Sequence, residues 1–138
     1  MGAGSCIVIL DHTRTQSLML RRADNPHMGK LCCVGGKKEP MEFPDATMAR
    51  EMWEESGLLP TDFQVIHKLM MLVYPDGWSI TYYYGVLKEE YVLKESDEGS
   101  LEWIDLGNAT VLHNPDIGFS GVSAFMTHLA CLKEGIYA

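Results

Sequence analysis

The chain has 138 residues and a formal net charge of −8, a size that suits one hydrophobic core, so residues 1–138 are expected to form one domain. Such an acidic balance excludes long nucleic acid as a partner, because that binding needs many Lys and Arg contacts to phosphate. A small phosphate ester stays compatible if a divalent cation bridges it to carboxylates. No apolar run reaches the roughly 18 residues of a membrane span, and no basic segment leads into an apolar one as in a secretory leader, so no membrane partner is expected.

Residues 1–5 are small and read as a flexible lead-in. Cys6 to Leu10 is a short apolar run typical of a buried strand. Asp11 to Gln16 is turn-like, and Ser17 to Arg22 returns as a second strand, which predicts a hairpin. Asp, Asn and Pro mark residues 23–27 as a loop. Leu31 to Val34 is another short strand, ended by Gly35 and Gly36. Pro44 to Ser56 predicts a helix: Pro44 suits its first position, Asp45 its positive end, and Gly57 its termination. Phe43 has no side-chain oxygen with which to cap it. Ala46, Ala49, Met52 and Trp53 are expected to bury this helix against a sheet.

Phe63 to Val73 and Trp78 to Leu87 are expected strands joined by a Tyr74-Pro75-Asp76-Gly77 turn. Trp78, Ile80, Tyr82 and Tyr84 share one face of the second, and Ser79, Thr81 and Tyr83 the other. Residues 89–99 read as a charged loop and Leu101 to Leu106 as a strand. Val122 to Lys133 is apolar at helical spacing and predicts a helix packed on the core. The sum is an α/β chain with a mixed sheet and two helices.

The cysteines Cys6, Cys32, Cys33 and Cys131 make no C-x-x-C pair, and no His stands at a zinc-finger spacing from them. They read as reduced thiols of a cytoplasmic protein. The five His are scattered, which argues against a His-built metal site.

One stretch carries most of the chemistry. From Gly36 to Leu58 the chain reads GKKEPMEFPDATMAREMWEESGL. Gly36, Glu42, Arg50, Glu51, Glu54, Glu55 and Gly57 form the pattern G-x5-E-x7-R-E-x2-E-E-x-G, with apolar Met52 and Leu58 beside it. Seven fixed residues at frequencies of about one in twenty arise by chance on the order of once in a billion windows. The helical spacing of Glu51, Glu54 and Glu55 places them on one face. Three crowded carboxylates repel one another unless cations offset their charge. Arg50 stands four residues before Glu54, placed to pair with it. The glycines let backbone approach a metal or phosphate closely, and Lys37 is placed to meet a phosphate or a carboxylate of the cluster.

This pattern resembles the Nudix box, the signature of hydrolases that cut diphosphates linked to a nucleoside or similar group. The resemblance implies an α/β/α sandwich with a mixed sheet and a bound Mg²⁺, with Mn²⁺ as substitute. It implies Glu51, Glu54, Glu55, the Gly35 carbonyl and Glu98 as metal ligands. Glu51, Glu54 and Glu98 compete for the role of general base, and Gly36, Glu42, Arg50 and Gly57 are structural. Dimers are common in that family, so a homodimer is compatible with it.

The substrate is less marked. Gly29 to Lys37 is similar to the G-x-W-N-G-x-G-G-K segment of oxidised-purine nucleoside triphosphatases, with Leu31, Cys32 and Cys33 replacing Trp, Asn and Gly. Cys32 cannot form the paired hydrogen bonds of the Asn amide. Arg21 and Arg22 are candidate phosphate contacts or solvated strand ends. Tyr74, Tyr83, Trp78 and Phe119 are candidate base stackers, and Asn114 and Asp116 candidate edge readers. The leading expectation is a Mg²⁺-dependent nucleoside triphosphate pyrophosphohydrolase acting on a small nucleotide, 8-oxo-dGTP among the options. Its rivals are a hydrolase of ADP-ribose or dinucleoside polyphosphates, and a nucleotide sensor without turnover.

Overall fold

The computed structural model describes residues 2–24, 28–93, 95–96, 99–107, 114–115, 117 and 122–136. The strands are β1 (Ala3–Leu10), β2 (Gln16–Arg22), β3 (Leu31–Cys32), β4 (Val34–Lys37), β5 (Phe63–Val73), β6 (Ser79–Leu87), β7 (Glu95–Ser96) and β8 (Gly99–Asp105). The helices are α1 (Pro44–Ser56) and α2 (Val122–Lys133). The main sheet runs β5-β6-β1-β2-β8-β7, with β3 added to β2 and β4 to β1. Only β1 and β6 pair parallel among these strands; the other pairings are antiparallel, so the sheet is mixed.

Alternation along β1 explains why the sheet needs a helix on each side. Ile7 and Ile9 point to one face and Val8 and Leu10 to the other, all of them buried. The first face packs with Met48 and Met52 of α1 and with Leu18 and Tyr83. The second packs with Met126 and Ala130 of α2 and with Met19, Tyr82 and Tyr84. The expected division of β6 therefore holds, and the architecture is the expected α/β/α sandwich. Each fully buried aliphatic side chain stabilises it by about 1.5–3 kcal/mol.

Two expectations are corrected here. The chain before Cys6 is not a loose leader: Gly4 pairs with Lys37, Ser5 with Gly36 and Cys6 with Gly35. Composition concealed this, because small residues lack strand propensity yet permit close backbone approach. A Cβ on Gly4 would stand 2.8 Å from the Gly36 carbonyl oxygen. The second concerns α1, which is buried through Thr47, Met48, Glu51, Met52, Glu55 and Ser56. Ala46 is exposed and Trp53 is 54% exposed. Met48 and Met52 set the docking direction, and the 3.6-residue period turns 46 and 53 away from it.

The ends of α1 follow their local chemistry. Phe43 occupies the N-cap without a side-chain hydrogen bond, and Pro44 follows it. Gly57 closes the helix at φ 75, the left-handed conformation that glycine adopts without a Cβ clash. Its N–H donates to the Trp53 carbonyl at 2.9 Å.

Candidate active site

Strand β4 and helix α1 bring the two halves of the motif together. The Gly35 N–H donates to Glu55 Oε1 at 2.9 Å. Gly36 lies against the other carboxylate: a Cβ there would stand 2.6 Å from both oxygens of Glu51. Glu51 and Glu55 are 8% and 2% exposed, so two charges sit at low accessibility against the strand backbone. Their four-residue spacing places both on the buried stripe of α1.

Glu54 takes another direction. Its side chain is 50% exposed, a helical step of about 100° away from Glu55. The expected single face of three carboxylates is thus corrected to an inward pair and an outward neighbour. Arg50 links the two sets: Nη1 donates to Glu51 Oε1 at 3.0 Å and to Glu54 Oε1 at 3.2 Å.

The same guanidinium ties the preceding loop to the helix. Its Nε and Nη2 donate to the two carboxylate oxygens of Glu42 at 2.7 and 3.0 Å. Nη2 also donates to the Lys37 carbonyl at 2.9 Å. This fork geometry is what an arginine supplies and a lysine does not. Arg50, with the Glu39 N–H and the Thr47 hydroxyl, holds the Glu42 carboxyl down at about 2. The Glu42 carboxylate in turn raises the pKa of Arg50 further. Met41, just before Glu42, stands at φ 70 although it is not glycine, so the turn that aims Glu42 carries backbone strain.

Glu51 and Glu55 form one wall of a cleft of about 870 Å³, within the range of small-ligand sites. Arg22 and Lys37 bring positive charge to it, and Asp24 and Asp76 bring further carboxylates. Cys6, Cys32 and Cys33 also border it. Burial pushes the Cys32 thiol up to about 12 and Cys33 to about 11, and raises Cys6 as well. All three are therefore neutral thiols near pH 7. Cys32 packs in the α1-side core and Cys33 in the α2-side core, so their alternation divides them between the layers while both reach the cleft.

The structure brings Gly35, Gly36, Glu51, Glu55, Lys37, Arg22 and Cys32 to one cleft, as the sequence reading grouped them. Tyr83 is not brought there. It is 3% exposed in the core beneath α1, and its hydroxyl donates to Asp45. Odd and even positions of β6 face opposite ways, so Tyr82 and Trp78 border the cleft instead. Glu98, Asp116 and Phe119 lie outside the described residues. Asp24 and Asp76 also border the cleft, and no motif in the sequence marks them. Asp76 was hidden in a plain turn signal, and nothing local announced that β1 would seat the β5–β6 turn beside β4.

The donor set fits a hard divalent cation. Two buried carboxylates with nearby backbone oxygen suit Mg²⁺ or Mn²⁺, which take one or two carboxylates and fill the remaining positions from water and substrate phosphate. Soft metals prefer thiolate or imidazole, and the thiols here are protonated. Among the described residues no three His, Cys, Asp or Glu side chains converge as a complete metal cage.

A glycine-edged strand facing a glutamate helix, on an α/β/α sandwich with an open cleft, defines a class of phosphate-handling domains. The family model described as the NUDIX domain matches residues 2–120. The chain belongs to the Nudix family. Over 62 residues it is 37% identical to the 8-oxo-dGTP diphosphatase of Escherichia coli (strain K12), a match covering 44% of this chain and 48% of that protein. The chain thus spans about half the length of that curated relative. A crystallised mutator MutT protein from Bacillus halodurans superposes with a TM-score of 0.68 at 25% identity, over 94% of this chain and 82% of that one. The NUDIX domain of Shewanella oneidensis NrtR, solved with ADP ribose, superposes with a TM-score of 0.74 at 18% identity, over 96% and 87%. No helix among the described residues is long and apolar enough to cross a membrane.

Proposed function

We propose that the chain is a Mg²⁺-dependent hydrolase that cuts a nucleoside triphosphate to the monophosphate and pyrophosphate, with oxidised purine nucleotides such as 8-oxo-dGTP among its candidate substrates. The observation that carries this reading is the buried pair Glu51 and Glu55, set against Gly35–Gly36 in a cleft that also holds Arg22 and Lys37. The partial identity to an 8-oxo-dGTP diphosphatase supports the triphosphate class. None of the four cysteines forms a disulfide, which fits a reducing compartment such as the cytoplasm.

Glu55, steadied by the Gly35 N–H, and Glu51, steadied by Arg50, would hold the divalent ion. Bound there, such an ion would supply neutralisation of phosphate charge and a lowered pKa of water. Arg22 and Lys37 bind the phosphate chain and orient it for in-line attack. Glu51 borders the cleft whereas Glu54 faces outward beside Arg50. Of the described candidates, Glu51 is therefore the more direct acceptor for the proton of the attacking water, with Glu54 setting the charge on Arg50. Glu98 remains a third candidate base.

Product analysis tests the reading. Purified protein with Mg²⁺ is offered ordinary and oxidised nucleoside triphosphates, ADP-ribose, NADH and diadenosine polyphosphates. The expected result is monophosphate plus pyrophosphate, abolished in Glu51→Gln and reduced less in Glu54→Gln. Cleavage confined to the linked diphosphates moves the chain to that substrate class. Tight binding without turnover makes it a sensor.

A further inference from the structure

From the cleft lining we infer that Trp78 and Asp76 form a base subsite selective for a purine with guanine's Watson–Crick edge. This rests on the nucleotide reading of the cleft and specifies its base.

Cys6, Cys32 and Cys33 are neutral thiols, weak donors and weaker acceptors, so the strands that carry them do not read a base edge strongly. Arg22, Lys37, Glu51 and Glu55 are engaged by phosphate and cation in the function proposed above. Two aromatics border the cleft among the described residues; Tyr82 is 4% exposed, so Trp78 is the more open flat surface able to lie beside a base, and of the carboxylates Asp24 and Asp76 it is Asp76 that is bonded to it.

Trp78 is seated for that role. Its six-membered ring lies against Gly2, where a Cβ would overlap the ring and approach Cη2 to 2.7 Å. The Ser79 N–H donates to the Gly2 carbonyl at 3.2 Å and so fixes this approach. One side of the indole is thus backed by main chain, and the residue borders the cleft while half-buried. A backed aromatic loses little freedom when a base stacks on it.

Asp76 supplies the discrimination. One carboxylate oxygen accepts the Trp78 backbone N–H at 3.0 Å, which binds the acid and the ring into one unit. An ionised carboxylate only accepts hydrogen bonds. Guanine offers adjacent N1–H and N2–H donors that match it, and 8-oxoguanine keeps both. Adenine sets an acceptor beside its amino group and opposes the carboxylate.

The spacing agrees. Gly36 pairs with Ser5 on β1, and Ser5 pairs with Thr81 on β6. Two strand spacings across and three residues along place Trp78 about 14 Å from Gly36, a span for a sugar and phosphates to bridge.

Calorimetric titration with GMP and with AMP tests the subsite without needing cleavage. Wild type is expected to bind GMP about 10-fold tighter than AMP. Trp78→Ala weakens both by about 10-fold or more, Trp78→Phe recovers most of that, and Asp76→Asn brings the GMP to AMP ratio to within about 2-fold of one. With a hydrolysed guanosine triphosphate, Trp78→Ala raises KM while kcat holds, a split that a mere folding defect does not give. Equal binding of GMP and AMP by wild type, no GMP binding, or Trp78→Ala within about 2-fold of wild type overturns the inference. Selective GMP binding without pyrophosphate release from any triphosphate keeps the inference and overturns the hydrolase reading.

Discussion

At the Gly36 end of the cleft, Arg50 alone donates to Glu42, Glu51, Glu54 and the Lys37 carbonyl, and Glu42 in turn accepts from Glu39 and Thr47. At the other end, Trp78 and Asp76 ride on a turn closed by Tyr74 N–H to the Trp78 carbonyl at 2.8 Å and Gly77 N–H to the Tyr74 carbonyl at 2.9 Å. The first end fixes the carboxylates proposed to hold the ion, and it does so with charge-assisted bonds from several elements. The second end holds a surface on one hairpin. On the proposed function, changes of residue there should alter what binds without disturbing the chemistry, which would make reaction and selection separable.

The sharpest way to break the contrast is at Glu55. Glu55→Gln keeps the volume and an acceptor for the Gly35 N–H but removes the charge, and kcat with Mg²⁺ is expected to fall at least about 100-fold. Loss of nucleotide binding with kcat preserved would reverse the assignment of the two ends. Gly36→Ala comes next. The new Cβ displaces the Glu51 carboxylate, the movable end of its side chain, so activity should drop about 100-fold while the melting temperature changes little.

Acid titration probes the Arg50 hub. Glu42 titrates at about 2 against an ordinary 4.5. A depressed carboxyl binds fewer protons folded than unfolded, so its stabilisation is complete above 4.5 and disappears as the pH falls towards 2. Glu42→Gln should therefore be less stable than the parent at neutral pH, with the gap closing over that window in denaturant melts. Met41→Gly is a smaller test of the same loop. Met41 is 95% exposed at φ 70, so glycine relieves strain without losing packing and should add about 1 kcal/mol. Smallest is Glu39→Ala. Its side chain is 63% exposed and 3.6 Å from Arg50, and the loss should stay below about 0.5 kcal/mol by urea unfolding.

What the sequence made legible follows from the range of the forces involved. Pro44, Gly57 and the apolar period marked α1 to the residue, and β5 and α2 were bounded as closely, because caps and periodicity act within a few residues. Arg50 pairing with Glu54 was equally local. The orientation of α1 was not, since Met48 and Met52 choose it by packing on strands far away in the chain. For the same reason Glu54 parted from Glu51 and Glu55, and Tyr83 turned under the helix rather than into the cleft. Nor did composition reveal that the glycines near the start of the chain would serve as strand β1 against β4 and as backing for Trp78.

The parallel match of β1 with β6, from Ala3 beside Ser79 to Leu10 beside Val86, sets the order in which this domain can assemble. The β1–β2 hairpin is local and can form early. The cleft floor must wait until the β5–β6 hairpin has left the ribosome and closed a long loop back to the first residues. Folding should accordingly be limited by that late encounter, slower than in a helical bundle of similar size. Until it occurs, the apolar sides of β1 stand open to aggregation.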